Sequence, residues 1–99
     1  MTYRVEFTPE AVDHLARLRA HERARVLDAV GRHLAHSPTG ETRNRKPLRP
    51  NPVAEYRLRV GPLRVYYDVR PRPALLVLIK AVGVKVRDRV YVGGEEIKL

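Results

Sequence analysis

The stretch YRLRVGPLRVYY, residues 56–67, alternates apolar and basic side chains on both sides of a Gly-Pro pair. Alternation with a period of two predicts β-strands. Gly61-Pro62 predicts a type II′ hairpin turn, which takes glycine first and tolerates the φ of proline next. If Val60 lies opposite Leu63, one face of the hairpin carries Leu58, Val60, Leu63, Val65, Tyr67 and Val69. The other face then carries Arg57, Arg59, Arg64, Tyr66, Asp68 and Arg70.

This register places basic groups close together on the second face. Arg59 lies across from Arg64, and Arg57 lies across from Tyr66. Like charges that face each other on neighbouring strands are destabilising, so an anionic ligand is one explanation of the pattern. The other explanation is an ordinary charged outer face, on which nearby carboxylates offset part of the repulsion. The hairpin alone leaves both explanations open.

The length and charge of the chain indicate how many domains it forms and what kind of partner it binds. A chain of 99 residues has room for one modest core, so residues 1–99 are predicted to form a single domain. Its 20 Lys and Arg residues against 11 Asp and Glu give a formal net charge of +9 and a pI of about 10.6. Such a charge favours nucleic acid, a ribosome surface or an acidic protein as the partner.

The sequence also excludes several kinds of site. It contains no cysteine, which excludes disulfides and thiolate metal ligands. No apolar run approaches the ~20 residues of a membrane span, and the N-terminal MTYRVEFTPE lacks the apolar segment of a secretion signal. We therefore expect a cytoplasmic protein without a membrane partner.

The first third of the chain predicts a strand followed by two helices. Residues 2–7 alternate as a half-buried strand does. Thr8 followed by Pro9 predicts an N-cap and a first helical residue. Two apolar sets at helical spacing then predict two helices in an antiparallel hairpin, with a break near residues 20–21. These sets are Val12, Leu15 and Leu18, and then Val26, Leu27, Val30 and Leu34.

The remainder predicts a basic loop and three strands. Residues 37–53 are rich in proline and basic residues and show no period, so we expect a loop there. Residues 54–60, 63–70 and 75–82 predict strands, the last of them central because it is almost wholly apolar. The order β-α-α-β-β-β predicts an α+β fold in which a helical hairpin packs on a small, mainly antiparallel sheet. The tail from residue 83 predicts at most a short edge strand.

The element order and the motifs LRPNPVAEYRLRVGPLRVYYDV and AVGVKVRDRVY resemble the RelE/ParE superfamily of type II toxin-antitoxin toxins over nearly the whole chain. The resemblance implies a microbial ribonuclease-like RelE fold. In the RelE branch it implies ribosome-dependent cleavage of mRNA in the A site. The catalytic positions of that branch fall here on Arg57, Arg59, Arg64, Lys85 and Tyr91. The RNA-binding positions that we expect beside them are Arg43, Arg45, Lys46, Arg49, Tyr66, Arg87 and Arg89.

The implied reaction is attack of a ribose 2′-hydroxyl on the adjacent phosphate, with no metal and no cofactor. Arginines would stabilise the charged phosphorane, and Tyr91 would stack on the RNA, with Tyr66 as a second stacking residue. The general base is unassigned because arginine does not give up its proton, so Lys85, Tyr91 and water are the candidates. His14, His21, His33 and His36 are expected away from the basic patch.

Two other functions are compatible with the same resemblance. One is a ParE-like inhibitor of DNA gyrase, and the other is a non-catalytic nucleic-acid-binding relative. For a toxin, the resemblance implies a cognate antitoxin as a partner, in addition to the ribosome and mRNA. Operator DNA would be bound only through the antitoxin.

Overall fold

The hairpin at residues 56–70 forms the middle of a sheet in the computed structural model, which describes residues 2–99. Val60 pairs with Leu63, Arg59 with Arg64 and Arg57 with Tyr66, as the apolar pattern predicted. Gly61 has a φ of +58°, which suits the first position of the predicted turn. The predicted register is therefore confirmed.

The sheet has more strands than the sequence predicted. The described elements are β1 (Arg4–Phe7), α1 (Pro9–Ala16), α2 (Ala20–Leu34), β2 (Arg45–Pro47), β3 (Tyr56–Val60), β4 (Leu63–Arg70), β5 (Leu76–Val86), β6 (Arg89–Val92) and β7 (Glu95–Ile97). The strand order is β2-β3-β4-β5-β6-β7, and β1 pairs in parallel with β5. Two helices on a mainly antiparallel sheet confirm the predicted α+β class. The prediction of a wholly irregular loop at 37–53 is wrong at β2, and the tail forms two strands instead of at most one.

The two helices begin where the sequence indicated. The Thr8 side chain accepts a hydrogen bond from the Ala11 N–H at 3.1 Å, with Pro9 next to it. In the second helix, the Glu22 carboxylate accepts from the Arg19 N–H at 3.0 Å. The buried faces are Ala11 and Leu15 of α1 and Val26, Ala29, Val30 and Leu34 of α2. Val12 and Leu27 are 52% and 50% exposed, so their predicted places in the apolar faces are wrong.

Helix α1 completes one edge of the central strand β5. On that edge, β1 pairs with residues 76–79 and β6 with residues 83–86, which leaves a gap between them. The Thr8 hydroxyl donates to the Lys80 carbonyl at 3.3 Å, and His14 Nδ1 accepts from the Val82 N–H at 3.2 Å. The side chains of the N-cap and of one residue of α1 thus pair backbone groups of β5 between the two strands.

The two faces of the sheet are covered differently. The helix side holds the main core, which includes Leu58, Val65, Tyr67, Val77 and Ile79, all fully buried. The opposite side has a small cluster of Ala54, Tyr66 and Ala81, against which Leu48 and Val53 pack. These last two residues belong to the segment 47–53, which we call the proline ridge. The Asn51 side chain fixes the ridge with hydrogen bonds to the backbone of residues 49, 53 and 54.

Candidate functional site

A groove of about 650 Å³ lies beside the proline ridge, on the side of the sheet that faces away from the helices. We call it the basic groove. Six basic and two acidic residues contribute to its wall: Lys46, Arg49, Arg57, Arg64, Lys85 and Lys98, and Asp88 and Glu96. Of the predicted catalytic residues, the sheet brings Arg57, Arg64 and Lys85 together here.

Arg57 lies at the centre of this arrangement. Its strand neighbours are Lys46 on β2 and Tyr66 on β4. The Nε atom of Arg57 is buried without a hydrogen-bond partner, and no other side-chain nitrogen or oxygen of residues 2–99 is in that condition. An unsatisfied buried donor costs on the order of 1–3 kcal/mol, and more when it is charged. Arg57 as a whole is half-buried and lines the groove, so a small side-chain rotation that uncovers Nε would let an acceptor from another molecule remove this cost.

Arg64 is fixed at the end of the groove near the hairpin turn. Its side chain is only 6% exposed, and Nη1 donates to the carbonyl oxygens of Gly61 at 2.7 Å and Leu63 at 2.9 Å. Burial lowers the pKa of Arg64, and the charges of Arg57 and then Arg59 lower it further. Because arginine stays protonated in proteins, these positive charges repel each other in the folded chain. A bound anion would relieve that repulsion.

No carboxylate of the described residues pairs with Arg57, Arg64, Lys46 or Lys85. Asp68 lies on the same face of the hairpin but is bound by Arg70 at 3.1 Å and Lys80 at 3.5 Å. Glu55 also pairs with Arg70, at 3.2 Å. The two carboxylates closest to the hairpin in sequence, Glu55 and Asp68, are therefore engaged by Arg70 and Lys80.

Tyr66 lines the groove, but it is buried, whereas the sequence predicted a residue free to stack on RNA. The residue is 1% exposed because its ring packs in the small cluster under the proline ridge. A ring buried in this way has no free face for a nucleobase in this structure, so its geometry does not support the predicted stacking role. Burial raises the pKa of Tyr66, although Arg64 and Arg57 oppose this shift. Its hydroxyl therefore stays protonated at neutral pH.

Tyr91 lies on the other side of the sheet. It pairs with Val84, which in turn pairs with Leu63 of the main core. Paired residues share a face, so Tyr91 lies on the helix side, whereas its neighbour Val90 lines the basic groove. The prediction that Tyr91 joins the arginines is wrong, because the β5–β6 register places it at the opposite parity.

Two further arginines of the prediction have partners inside the chain. Arg45 is buried on the helix side, where its guanidinium donates to the carbonyl oxygens of His33, at 2.9 Å, and Gly40. The structure therefore places Arg45 away from the basic groove, where its contacts fix the loop after α2. Arg59 donates to Asn44 Oδ1 at 3.3 Å and to the Arg43 carbonyl at 3.4 Å. Its guanidinium thereby reaches residues 43–44 beside β3 and does not line the groove.

The other predicted basic residues divide between the groove and its surroundings. Lys46 and Arg49 line the groove and are exposed. Arg43, Arg87 and Arg89 are exposed but do not line it. Arg87 occupies the β5–β6 turn with a φ of +58°, and Arg89 pairs with Glu96 at 3.6 Å. The structure therefore brings together about half of the predicted RNA-binding set.

A family model described as the ParE toxin of the type II toxin-antitoxin system parDE matches residues 5–89. The chain belongs to this toxin family. A chain of the crystal structure of the toxin-antitoxin complex RelBE2 from Mycobacterium tuberculosis is also similar to the toxin, with a TM-score of 0.69 and 26% identity. The match covers 86% of the toxin and 100% of that chain. A search of curated proteins gave no significant match. The predicted RelE/ParE resemblance is confirmed.

Sequence reasoning missed several groove residues of the toxin. Lys98 and Asp88 line the groove because β6 and β7 fold back beside β5. The signal was present in RVYVGGEEI, residues 89–97, where two alternating runs flank a Gly-Gly pair. Gly93 and Gly94 have φ values of +60° and +84°, which such a turn requires.

The described residues contain neither a metal-binding cluster nor a membrane-spanning helix. Within residues 2–99, no group of three or more His, Asp or Glu side chains is arranged to hold a metal ion. No helix in that range is long and apolar enough to cross a membrane.

Proposed function

We propose that this toxin is a ribosome-dependent endoribonuclease that cleaves mRNA in the A site and so stops translation in the cytoplasm. The observation that carries the proposal is the buried, unpartnered Nε of Arg57 beside Arg64, which has no carboxylate partner. This pair is suited to a phosphate, because guanidinium groups bind phosphate oxygens with charge-assisted hydrogen bonds. Lys46, Arg49 and Lys85 surround the pair as contacts for the flanking RNA backbone.

The proposed reaction needs no metal. The ribose 2′-oxygen attacks the adjacent phosphorus, and the products are a 2′,3′-cyclic phosphate and a 5′-hydroxyl. Arg57 and Arg64 stabilise the extra negative charge of the phosphorane, an effect worth about 10²- to 10³-fold in rate for a well-placed donor. Lys85 and water are the candidates for accepting the 2′-hydroxyl proton, because Tyr91 lies on the far side of the sheet.

We further propose a cognate antitoxin as the partner that controls the toxin. The similar chain from Mycobacterium tuberculosis belongs to a toxin-antitoxin complex, which supports this proposal. The formal net charge of +9 favours an antitoxin segment that is acidic. Any contact with operator DNA would be made by the antitoxin of the pair.

A second function, inhibition of DNA gyrase, is favoured by two observations. The family model that matches the chain is that of the ParE toxin, and Tyr91 does not join the basic groove. In this alternative the groove binds an acidic protein or DNA surface and performs no RNA chemistry. Gyrase inhibition explains the buried, unpaired Nε of Arg57 less directly than phosphate binding does.

One experiment separates the two functions. Wild-type toxin is added to ribosomes programmed with a defined mRNA, and cuts are mapped by primer extension with and without EDTA. Gyrase supercoiling is measured in parallel with the same preparation. Cuts in the A-site codon that persist in EDTA, with normal supercoiling, are expected. Intact mRNA together with blocked supercoiling would support gyrase inhibition and contradict the proposal.

A further inference from the structure

Tyr66 is a neighbour of both arginines of the proposed phosphate site. It is directly across from Arg57 on the neighbouring strand, and it follows Arg64 by two residues on the same face of β4. Residues in direct cross-strand register have Cβ atoms about 5 Å apart, so the three side chains are near neighbours. All three line the basic groove.

Tyr66 lines the groove although the residue is only 1% exposed. The aromatic ring is packed against Ala54 and Ala81. The Oη atom makes no hydrogen bond within residues 2–99 and yet is not an enclosed polar atom, so it keeps contact with solvent. Tyr67, the next residue, differs in this respect because its hydroxyl donates to the Pro38 carbonyl at 2.7 Å inside the core. Tyr66 thus has a fixed ring and an uncommitted O–H group.

The two arginines of the site are poorly suited to donating a proton. Arginine keeps its protons at any pH at which the protein is folded, which excludes Arg57 and Arg64. Lys85 lies at the exposed rim of the groove. A phenol is protonated at neutral pH and is a hydrogen-bond donor. Burial raises the pKa of Tyr66 and so opposes loss of its proton, whereas the charges of Arg64 and Arg57 favour that loss.

We propose that Tyr66 is the general acid of RNA cleavage, donating its Oη proton to the 5′-oxygen as the P–O5′ bond breaks. This inference rests on the proposed endoribonuclease function. The 2′-oxygen forms the new bond to phosphorus and its proton passes to water, and Tyr66 gives one proton to the leaving oxygen. The phenolate that remains lies beside Arg57 and Arg64, which stabilise its charge until water returns a proton.

The test compares Tyr66→Phe with Tyr67→Phe on two mRNAs in programmed ribosomes. The first mRNA is natural, and the second carries sulfur in place of the 5′-bridging oxygen at the mapped cut. A thiolate leaves without receiving a proton, so the second substrate needs no general acid. General acid catalysis contributes about 10²- to 10⁴-fold, so Tyr66→Phe is expected to lose that much rate on natural mRNA. It is expected to cut the sulfur-containing mRNA at close to the wild-type rate.

The matched variant Tyr67→Phe removes a hydroxyl from the other face of the same strand. It is expected to cut both substrates with the same ratio of rates as the wild type. Wild-type cleavage with no loss in Tyr66→Phe, or an equal loss on both mRNAs, would overturn the general acid role and leave the endoribonuclease intact. A wild-type toxin that cuts neither substrate would overturn the endoribonuclease function, and this role with it.

Discussion

Arg57 and Arg64 give the basic groove its chemical character through a lack of partners inside the chain. A chain under selection for stability alone would pair a buried guanidinium, because an unpaired buried charge opposes folding. Here Arg57 Nε has no acceptor, and Arg64 has only backbone oxygens of its own turn. The unmet hydrogen-bonding capacity is what an RNA phosphate would use.

This arrangement predicts that stability and activity respond oppositely to one substitution. Arg57→Met keeps the length of the side chain and removes the unpaired charge, so we expect the free energy of unfolding to rise by about 1 kcal/mol. Cleavage of mRNA is expected to fall by at least about 10²-fold. Urea denaturation and primer extension measure the two effects. A loss of stability would show that Arg57 has a structural role in the free toxin.

At the scale of residues, the sequence predicted which positions share a face but not what each side chain does there. Alternation and the Gly-Pro turn were enough for the register of Arg57, Arg59 and Arg64. They carried no information on Asn44, which lies beside β3 and accepts a hydrogen bond from the guanidinium of Arg59. They also did not show that Arg45 is buried, since that depends on carbonyl groups 5 and 12 residues away along the chain.

The edge of β5 depends on helix α1 for its pairing, and this contact is sensitive to pH. His14 Nδ1 accepts from the Val82 N–H only when the imidazole is neutral at that atom. Burial lowers the pKa of His14 from 6.5, and Arg17 lowers it further, while Asp13 and Glu10 oppose the shift. The unfolded chain therefore binds the proton more readily than the folded one.

We expect this contribution to stability to be fully present above pH 6.5. It is lost as the pH falls through 6.5 to the pKa of folded His14, and it is constant below that. His14→Asn offers an acceptor that does not titrate, so it is expected to flatten the curve of unfolding free energy between pH 7 and pH 5. His21→Asn, on the exposed surface, is the control. An unchanged pH dependence in His14→Asn would show that other groups are responsible.

The β5–β6 pairing depends on a close approach at Gly83. A Cβ there would lie 2.7 Å from the Tyr91 carbonyl oxygen and 2.8 Å from Val92 Cγ2. Because one of these atoms belongs to the backbone, Gly83→Ala is expected to cost about 1–3 kcal/mol in unfolding free energy. Gly31→Ala, on a helix with nothing within 4 Å, is expected to add about 0.5–1 kcal/mol. Thermal denaturation of both variants measures the two changes in unfolding free energy. An unchanged stability in Gly83→Ala would contradict the close approach at Gly83.

The elements that were missed are short and lie at the sheet margins. Strands β2 and β7 have three residues each, too few for a period of two to stand out from chance. The proline content of residues 37–53 also argued against a strand, although Pro47 is tolerated because β2 lies at the edge of the sheet. The long elements, by contrast, were predicted with the right type and order.

For the whole molecule, the formal charge of +9 predicts RNA binding that weakens steeply with salt. Each phosphate contact on single-stranded RNA contributes about 0.7 to the slope of log affinity against log salt. Lys46→Gln and Lys85→Gln, in the groove, are each expected to reduce the slope by about that amount. Arg89→Gln is the control, since Arg89 lies outside the groove and pairs with Glu96. Fluorescence titration at several salt concentrations measures the slopes, and equal reductions in all three variants would contradict a localised site.

Overall charge could be read from composition, but the face that carries the site could not. The resemblance to RelE/ParE toxins predicted the fold and placed three of the five catalytic candidates in the groove: Arg57, Arg64 and Lys85. It misplaced Tyr91, because one residue of register in β6 decides which side of the sheet a side chain faces.

The most direct test of the proposed function is primer extension on mRNA in programmed ribosomes, comparing wild type, Arg57→Gln and Arg32→Gln. Arg32 is an exposed arginine of α2 that pairs with Asp28 at 2.8 Å, so it serves as a matched loss of charge outside the groove. We expect A-site cuts with wild type and Arg32→Gln, and at least about a 10²-fold loss with Arg57→Gln. Equal cleavage by all three proteins would contradict a phosphate site at Arg57.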